Sequence, residues 1–392
     1  YSRAVEYSVG GGIMAGSRLL TGSGYRLKVP AIDLAEVGAG GGSIIWIDPA
    51  GALQVGPKSA GATPGPVCYG KGGTDPTMTD ACAILGYLNP NHLVGGDLPL
   101  NTELSKKVFA NKIAGPLGLE LEQAAYGAYE IASANMIRAI KSVSSERGRD
   151  PRDYVLFAFG GNGPLFAGAM AAILHMRRIL VPPAPGVFSA FGLLCAEVEH
   201  HYSQTFRRVL QSADPVELES GWNLLEVQAD HQLSVDGFPP VQRRLIRSAN
   251  MHYQGQIYEL SVPVPEGPID QAAVQMLQDA FGDEHERTYG HRAGPDEPVE
   301  LVNLELVGQG LSTVSRVPEG LHAVQNTNQQ STPRQAYFGR EHGWMDAPVI
   351  AREALSKLQS GPCIIEEYDA TCLVPPGGEA SLDDYGNIVI EL

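Results

Sequence analysis

One stretch limits the fold more than any other: between Tyr154 and Leu194 an apolar run ends in glycines, enters a helical pattern and returns to a second apolar run. Tyr154-Val-Leu-Phe-Ala-Phe159 has no breaker and no polar residue after Tyr154, which predicts a buried strand. Gly160-Gly-Asn-Gly163 breaks it. Pro164 suits a first helical position, where its missing N–H costs nothing, and Leu165 to Met176 reads as the helix. Arg177 to Val181 then reads as a strand stopped by Pro182-Pro183. Strand, glycine turn and helix N-terminus together would offer backbone N–H groups to an anion or a nucleotide. The dinucleotide fingerprint fails, because Phe166 stands at its third glycine and no acidic residue follows at about 20 residues. By shape alone, an ordinary tight βα turn and a nucleotide site fit equally.

A second glycine run, Gly38-Ala-Gly-Gly-Gly-Ser43, leads into a hairpin: Ile44 to Ile47, a turn at Asp48-Pro-Ala-Gly51, and a return through Ala52 to Val55. Gly40, Gly41, Gly42 and Ser43 could wrap a phosphate or mark a close backbone crossing. Gly56 to Gly73 is a long irregular loop. Its Gly65 to Lys71 run matches G-x-x-x-x-G-K as a decoy: Gly72 replaces the magnesium-binding Ser or Thr, and Pro66 removes a donor. Lys58, Ser59 and Lys71 are the polar groups in the loop that could touch an anionic ligand; Thr79 or Asp80 is expected to cap the helix through Leu85, the plainer role for Asp80, with substrate or metal contact beside Lys58 and Ser59 the sharper one.

Composition narrows the partners. A net charge of −16 without a basic run argues against nucleic acid and anionic membranes. Five cysteines without a C-x-x-C pair suit a reducing compartment, with cytoplasm as the default. The length suits about two to three domains. Helices are predicted at Thr102 to Ala114, Leu121 to Val143, Asp214 to Asp230 and Gln271 to Thr288. Strands are predicted at Gln242 to Tyr253, Gln256 to Val264 and Val299 to Val307, and a small helix near Ile13 to Thr21. His200-His201 point to opposite faces of a strand and make no metal pair. The expected units are an α/β region over 1–204, an α+β region over 205–308, a linker over 309–334 and a small β-rich module over 335–392.

Several motifs together resemble the ATP-binding subunit family of hydantoinases, 5-oxoprolinases and acetone or acetophenone carboxylases. They are Gly38 to Ser43, Val55 to Pro66 with Cys68-Tyr-Gly70, Pro76-Thr-Met-Thr-Asp-Ala81, Phe159-Gly-Gly-Asn-Gly-Pro164, Pro185-Gly-Val-Phe-Ser-Ala190, Tyr253-Gln-Gly-Gln256 and Gly361 to Glu367. The resemblance implies an actin/hexokinase/Hsp70-like ATPase fold, present in part and followed by an α+β, β-rich region. It implies that Gly160, Gly161, Asn162, Gly163 and Pro164 close over the adenosine side of ATP. Phosphate motifs and Mg2+ ligands are expected upstream of Tyr1, so this chain is expected to be the C-terminal part of a subunit, inactive alone, working with a companion hydantoinase B-like subunit. The implied chemistry is ATP-dependent phosphorylation of a cyclic amide oxygen for hydrolysis. Activation of a ketone enolate and bicarbonate is the alternative, and a non-catalytic scaffold the third reading. The family has alanine at Asn162 and histidine at Phe166. No catalytic residue is assigned.

Overall fold

The computed structural model describes residues 2–6, 33–91, 93, 97–294, 297–312, 333–355 and 357–392. The small helix expected near Ile13 to Thr21 and most of the expected linker lie outside the described residues.

The first core begins with antiparallel strands β1 (Ser2–Glu6) and β2 (Asp33–Val37) and the hairpin β3 (Ser43–Ile47) and β4 (Leu53–Ser59). Asp48 closes that hairpin by accepting from the N–H groups of Ala50 and Ala52, an Asx turn typical of such tips. Three helices follow: α1 (Met78–Ile84), α2 (Thr102–Phe109) and α3 (Leu121–Val143). Ala124, Ala125, Ala128 and Ala132 of α3 are buried and let α1 lie close against it. The expected helix to Ala114 keeps α-helical spacing only to Phe109, after which the chain widens into a π turn over Ala110–Ala114.

Next come β5 (Leu156–Phe157), α4 (Gly163–Leu174), β6 (Arg178–Val181) and α5 (Phe188–Cys195). The expectation of a buried six-residue strand is corrected. Only two residues pair, they form the edge of the sheet, and Tyr154, Val155 and Phe157 are 50%, 46% and 42% exposed. An unbroken apolar run states that something covers both faces, and cannot state that the cover belongs to the same residues.

The second core is a four-stranded antiparallel sheet under two helices. Its elements are β7 (Val198–Val209), α6 (Pro215–Val235), β8 (Arg243–Tyr253), β9 (Leu260–Pro263), α7 (Gln271–Tyr289) and β10 (Val299–Gly310), with strand order β7-β10-β8-β9. Trp222, Phe281, Met251 and Leu304 fill it. The expected strand from Gln256 pairs only at Leu260–Pro263. The two cores touch where Gly148, at φ 72°, lies so near the Arg287 carbonyl that no Cβ fits there.

The C-terminal residues are β-rich, as read from sequence: β11 (Arg334–Tyr337), β12 (Trp344–Ala347), β13 (Val349–Ala351), β14 (Gln359–Ser360), β15 (Cys363–Glu366), β16 (Thr371–Val374), β17 (Glu379–Leu382) and β18 (Ile388–Glu391). They do not keep a core of their own. β18 pairs with β6, giving a sheet of order β14-β17-β18-β6-β5, and Ile364, Val374 and Ile390 share one apolar core with Met78, Phe109 and Phe166.

Candidate functional site: two glycine loops in contact

The loop after β5 is built around Gly160, whose φ of 84° suits glycine. Its N–H donates to the Pro185 carbonyl at 2.7 Å, which ties the loop to the turn before α5. Gly163 opens α4, so Pro164 is its second residue and not its first. Within the turn, the Gly163 N–H donates to Gly160 O and the Leu165 N–H to Asn162 O, and Pro164 has no N–H. The helix terminus therefore offers fewer donors than the sequence suggests. Those left without an acceptor among the described residues are the N–H groups of Gly161 and Asn162. Asn162 precedes the helix, but its side chain makes no capping bond.

Phe166 is 2% exposed and stacks on Tyr129, ring centroids 4.7 Å apart. The position is a core contact here, and the Tyr129 hydroxyl donates to the Leu165 carbonyl beside it.

The loop before β3 is braced from inside. Ser43 N–H donates to Gly40 O, the Gly40 N–H donates to Ser43 Oγ, and that hydroxyl donates to Gly38 O. Ser43 is thus a buried brace with its hydroxyl engaged. The Gly41 carbonyl accepts from both the N–H and the hydroxyl of Thr79 at the start of α1. The N–H groups of Gly41 and Gly42 take no acceptor among the described residues.

These two loops, far apart in sequence, meet. A Cβ placed on Gly41 would stand 2.4 Å from Asn162 Nδ2 and 2.8 Å from Thr79 Oγ1. The approach gathers backbone donors from both loops beside the Asn162 amide, a donor set that fits a phosphate-bearing ligand.

The residues assigned to a substrate loop divide. Lys58 and Ser59 are exposed at the end of β4; Ser59 Oγ accepts from the Gly61 N–H and stands beside Gly42. Asp80 is fully buried, and it accepts from Val67 N–H, Cys68 N–H, Thr77 N–H, Thr77 Oγ1 and Ser105 Oγ. It forms a capping box with Thr77 and pins the long loop to α1. With five donors on one carboxylate, no lone pair remains for a ligand, so the structure gives Asp80 the capping role. Burial raises the thiol pKa of Cys68, Cys82, Cys363 and Cys372 and leaves them as core residues. His200 pairs with Asp236, and among the described residues no three His, Cys, Asp or Glu side chains gather as metal ligands.

Sequence reasoning took Thr79 only as a candidate helix cap, a place that Thr77 holds, and passed over Asp369. Asp369 sits in the turn between β15 and β16. Its Oδ2 is buried without a hydrogen-bond partner, and a Cβ on Gly186 would lie 2.7 Å from it. Its carbonyl lies 3.6 Å from where a Gly161 Cβ would be. Nothing local in the sequence marks it, because its relation to the Gly160 loop exists only through the shared core on which their two separate sheets pack.

An α/β fold here holds two glycine loops in contact, with open backbone N–H groups on both. The Hydantoinase/oxoprolinase model matches residues 1–202 and the Hydantoinase/oxoprolinase C-terminal domain model matches residues 207–390; the chain belongs to this family. It is 36% identical over 367 residues to the caprolactamase subunit alpha of Pseudomonas jessenii, covering 92% of this chain and 52% of that subunit. It is 34% identical to the acetophenone carboxylase gamma subunit of Aromatoleum aromaticum, covering 94% of this chain and 52% of the relative. The crystal structure of the ATP-dependent caprolactamase from Pseudomonas jessenii superposes with a TM-score of 0.83 at 34% identity, over 94% of this chain and 54% of that one. The chain spans about half the length of the curated relatives it matches. Among the described residues no helix is long and apolar enough to cross a membrane.

Proposed function

We propose that these residues are the nucleoside-holding part of an ATP-dependent hydantoinase or oxoprolinase-type subunit, which phosphorylates a cyclic amide oxygen and so activates the ring for hydrolysis. The observation that carries this reading is the contact of Gly41 with Asn162, which turns two separate glycine runs into one donor-lined surface. Asp369 supports an orientation. The Asp369 carboxylate beside Gly186, in the turn that holds the Gly160 loop, repels phosphates, so the nucleoside end lies at Gly160 to Pro164 and the phosphates lie toward Gly40 to Ser43. Mg2+ would then be held by ligands outside the described residues. ATP supplies the phosphoryl group; this chain's part is to bind and orient it with fixed N–H donors.

The likeness to caprolactamase puts the hydrolase first. The likeness to acetophenone carboxylase supports the second reading, activation of a ketone enolate and bicarbonate. In both, the working protein is a longer subunit in a cytoplasmic hetero-oligomer with a companion hydantoinase B-like subunit, and residues 1–392 alone do not hydrolyse ATP. The deciding measurement is ATP turnover by the intact complex against lactams, hydantoins and ketones, with and without bicarbonate. Turnover with lactams or hydantoins and no need for bicarbonate supports the first reading; turnover with ketones that requires bicarbonate supports the second. No turnover together with no nucleotide binding sinks both and leaves a scaffold.

A further inference from the structure

Helix α6 turns its charges inward. It carries four acidic residues and no Lys or Arg. All four acids pair with arginines of the sheet beneath: Glu217 with Arg208, Glu219 and Glu226 with Arg247, and Asp230 with Arg243. Leu218, Trp222, Leu225, Ala229 and Leu233 fill the core below. The outward face is left apolar, with Val216, Leu224, Val227 and Val235 at 74%, 57%, 69% and 67% exposure. A continuous apolar stripe opposite a satisfied core face marks a surface that another chain covers.

The spacing of the stripe selects the cover. Val216, Ser220, Leu224, Val227, His231 and Val235 follow one another at intervals of four, four, three, four and four residues, a pattern that reads the same in both directions. Two copies laid antiparallel about an axis between Leu225 and Glu226 set Val216 against Val235, Ser220 against His231 and Leu224 against Val227. Each contact is then made twice, as a two-fold interface requires. No acid faces an acid in this register: Glu217 falls opposite Ser234, Glu219 opposite Gln232 and Asp230 opposite Gly221. Antiparallel pairing also opposes the helix dipoles, whereas parallel pairing aligns them and sets His231 against His231. A partner recognised by charge has little to grip, because the acids are already engaged by arginines. We propose that the outer face of α6 is an interface between two copies of this chain, packed antiparallel in that register.

The test uses the full-length subunit in a Cys195→Ser background, as the double variant Val216→Cys/Val235→Cys. The two positions lie about 28 Å apart along one helix, too far for a disulfide within a chain. Mild oxidation is expected to give a covalent dimer whose cross-linked peptides join 216 to 235, while each single variant stays uncross-linked. Sedimentation of the subunit with Leu224→Glu gives a second reading that does not depend on cysteine chemistry. The dimer should weaken about 10-fold or more, with thermal melting unchanged because the substituted side chain is exposed. Cross-linking of either single variant shows parallel or random contact and overturns the proposal. A wild-type subunit that sediments as a monomer, or unchanged association in the Leu224→Glu variant, also overturns it. So does a Leu224→Glu variant that loses the companion subunit and keeps its own copy. None of these readings uses ATP, so the proposed activity can fail while this inference stands.

Discussion

Arg352 and Glu367 form a buried ion pair, their side chains 5% and 3% exposed, with guanidinium nitrogens 2.8 and 2.6 Å from the carboxylate. The same guanidinium donates to the carbonyls of Val181, Pro182 and Gly386. It thereby fastens the end of β6 to the C-terminal strands. Arg352→Met removes every one of these bonds and leaves Glu367 buried without its cation, at a cost of about 3–5 kcal/mol. Urea denaturation of the full-length subunit measures it.

The same pair gives a pH dependence. Burial raises the Glu367 carboxyl pKa above its ordinary 4.5, with Arg352 acting against that rise. A raised folded-state pKa means that the native protein holds more protons than the unfolded chain between the two values, so this group's contribution falls as pH rises from about 4.5 through the folded value. Compared with Glu367→Gln, the wild-type subunit loses stability across that window. Parallel denaturation curves for the two proteins over the window would contradict this.

Asp80 organises the long loop by accepting five hydrogen bonds. Asp80→Ala leaves buried donors at Val67, Cys68 and Ser105 without an acceptor and should cost about 3 kcal/mol or more. Thermal melting reads the loss, and proteolysis should cut first between Gly56 and Gly73.

Contact between the glycine loops is testable by a double-mutant cycle. Gly41→Ala forces Asn162 aside and should cost about 1–3 kcal/mol, whereas Asn162→Ala makes room for the added methyl. The two changes together should cost less than their sum by about 0.5 kcal/mol or more. Strict additivity would place the loops apart.

Gly161 is the exposed member of its loop. An added Cβ meets only the Asp369 carbonyl at 3.6 Å, an ordinary contact, so Gly161→Val should fold normally. Its side chain then stands over the donors left open by Gly161 and Asn162. Nucleotide affinity should fall about 10-fold or more, about 1.4 kcal/mol, as read by calorimetry on the intact complex. Unchanged affinity in a folded variant would refute the adenosine-side placement.

Local patterns made much of the molecule legible. Leu121–Val143 reads as a helix with its bounds correct, because small and apolar residues at helical spacing specify a buried face wherever the helix goes. The hairpin at Asp48 to Ala52 follows from an Asx turn between two apolar runs. What failed was what depends on a distant partner. Tyr154 to Phe159 reads as a buried strand, yet Tyr154, Val155 and Phe157 are exposed, because an apolar run does not say which element covers it. Residues 335–392 read as a small β-rich module, and its β18 pairs with β6 over one shared core.

By itself the sequence determined that this chain is α/β and where its glycine loops fall, since turn chemistry and hydrophobic period act over a few residues. Only the tertiary structure decided that Gly41 rests on Asn162, that Asp369 stands beneath Gly161, and that Asp80 is fully engaged by protein donors. Those relations depend on a shared core that closes long loops, and the energy of such closure belongs to no local segment.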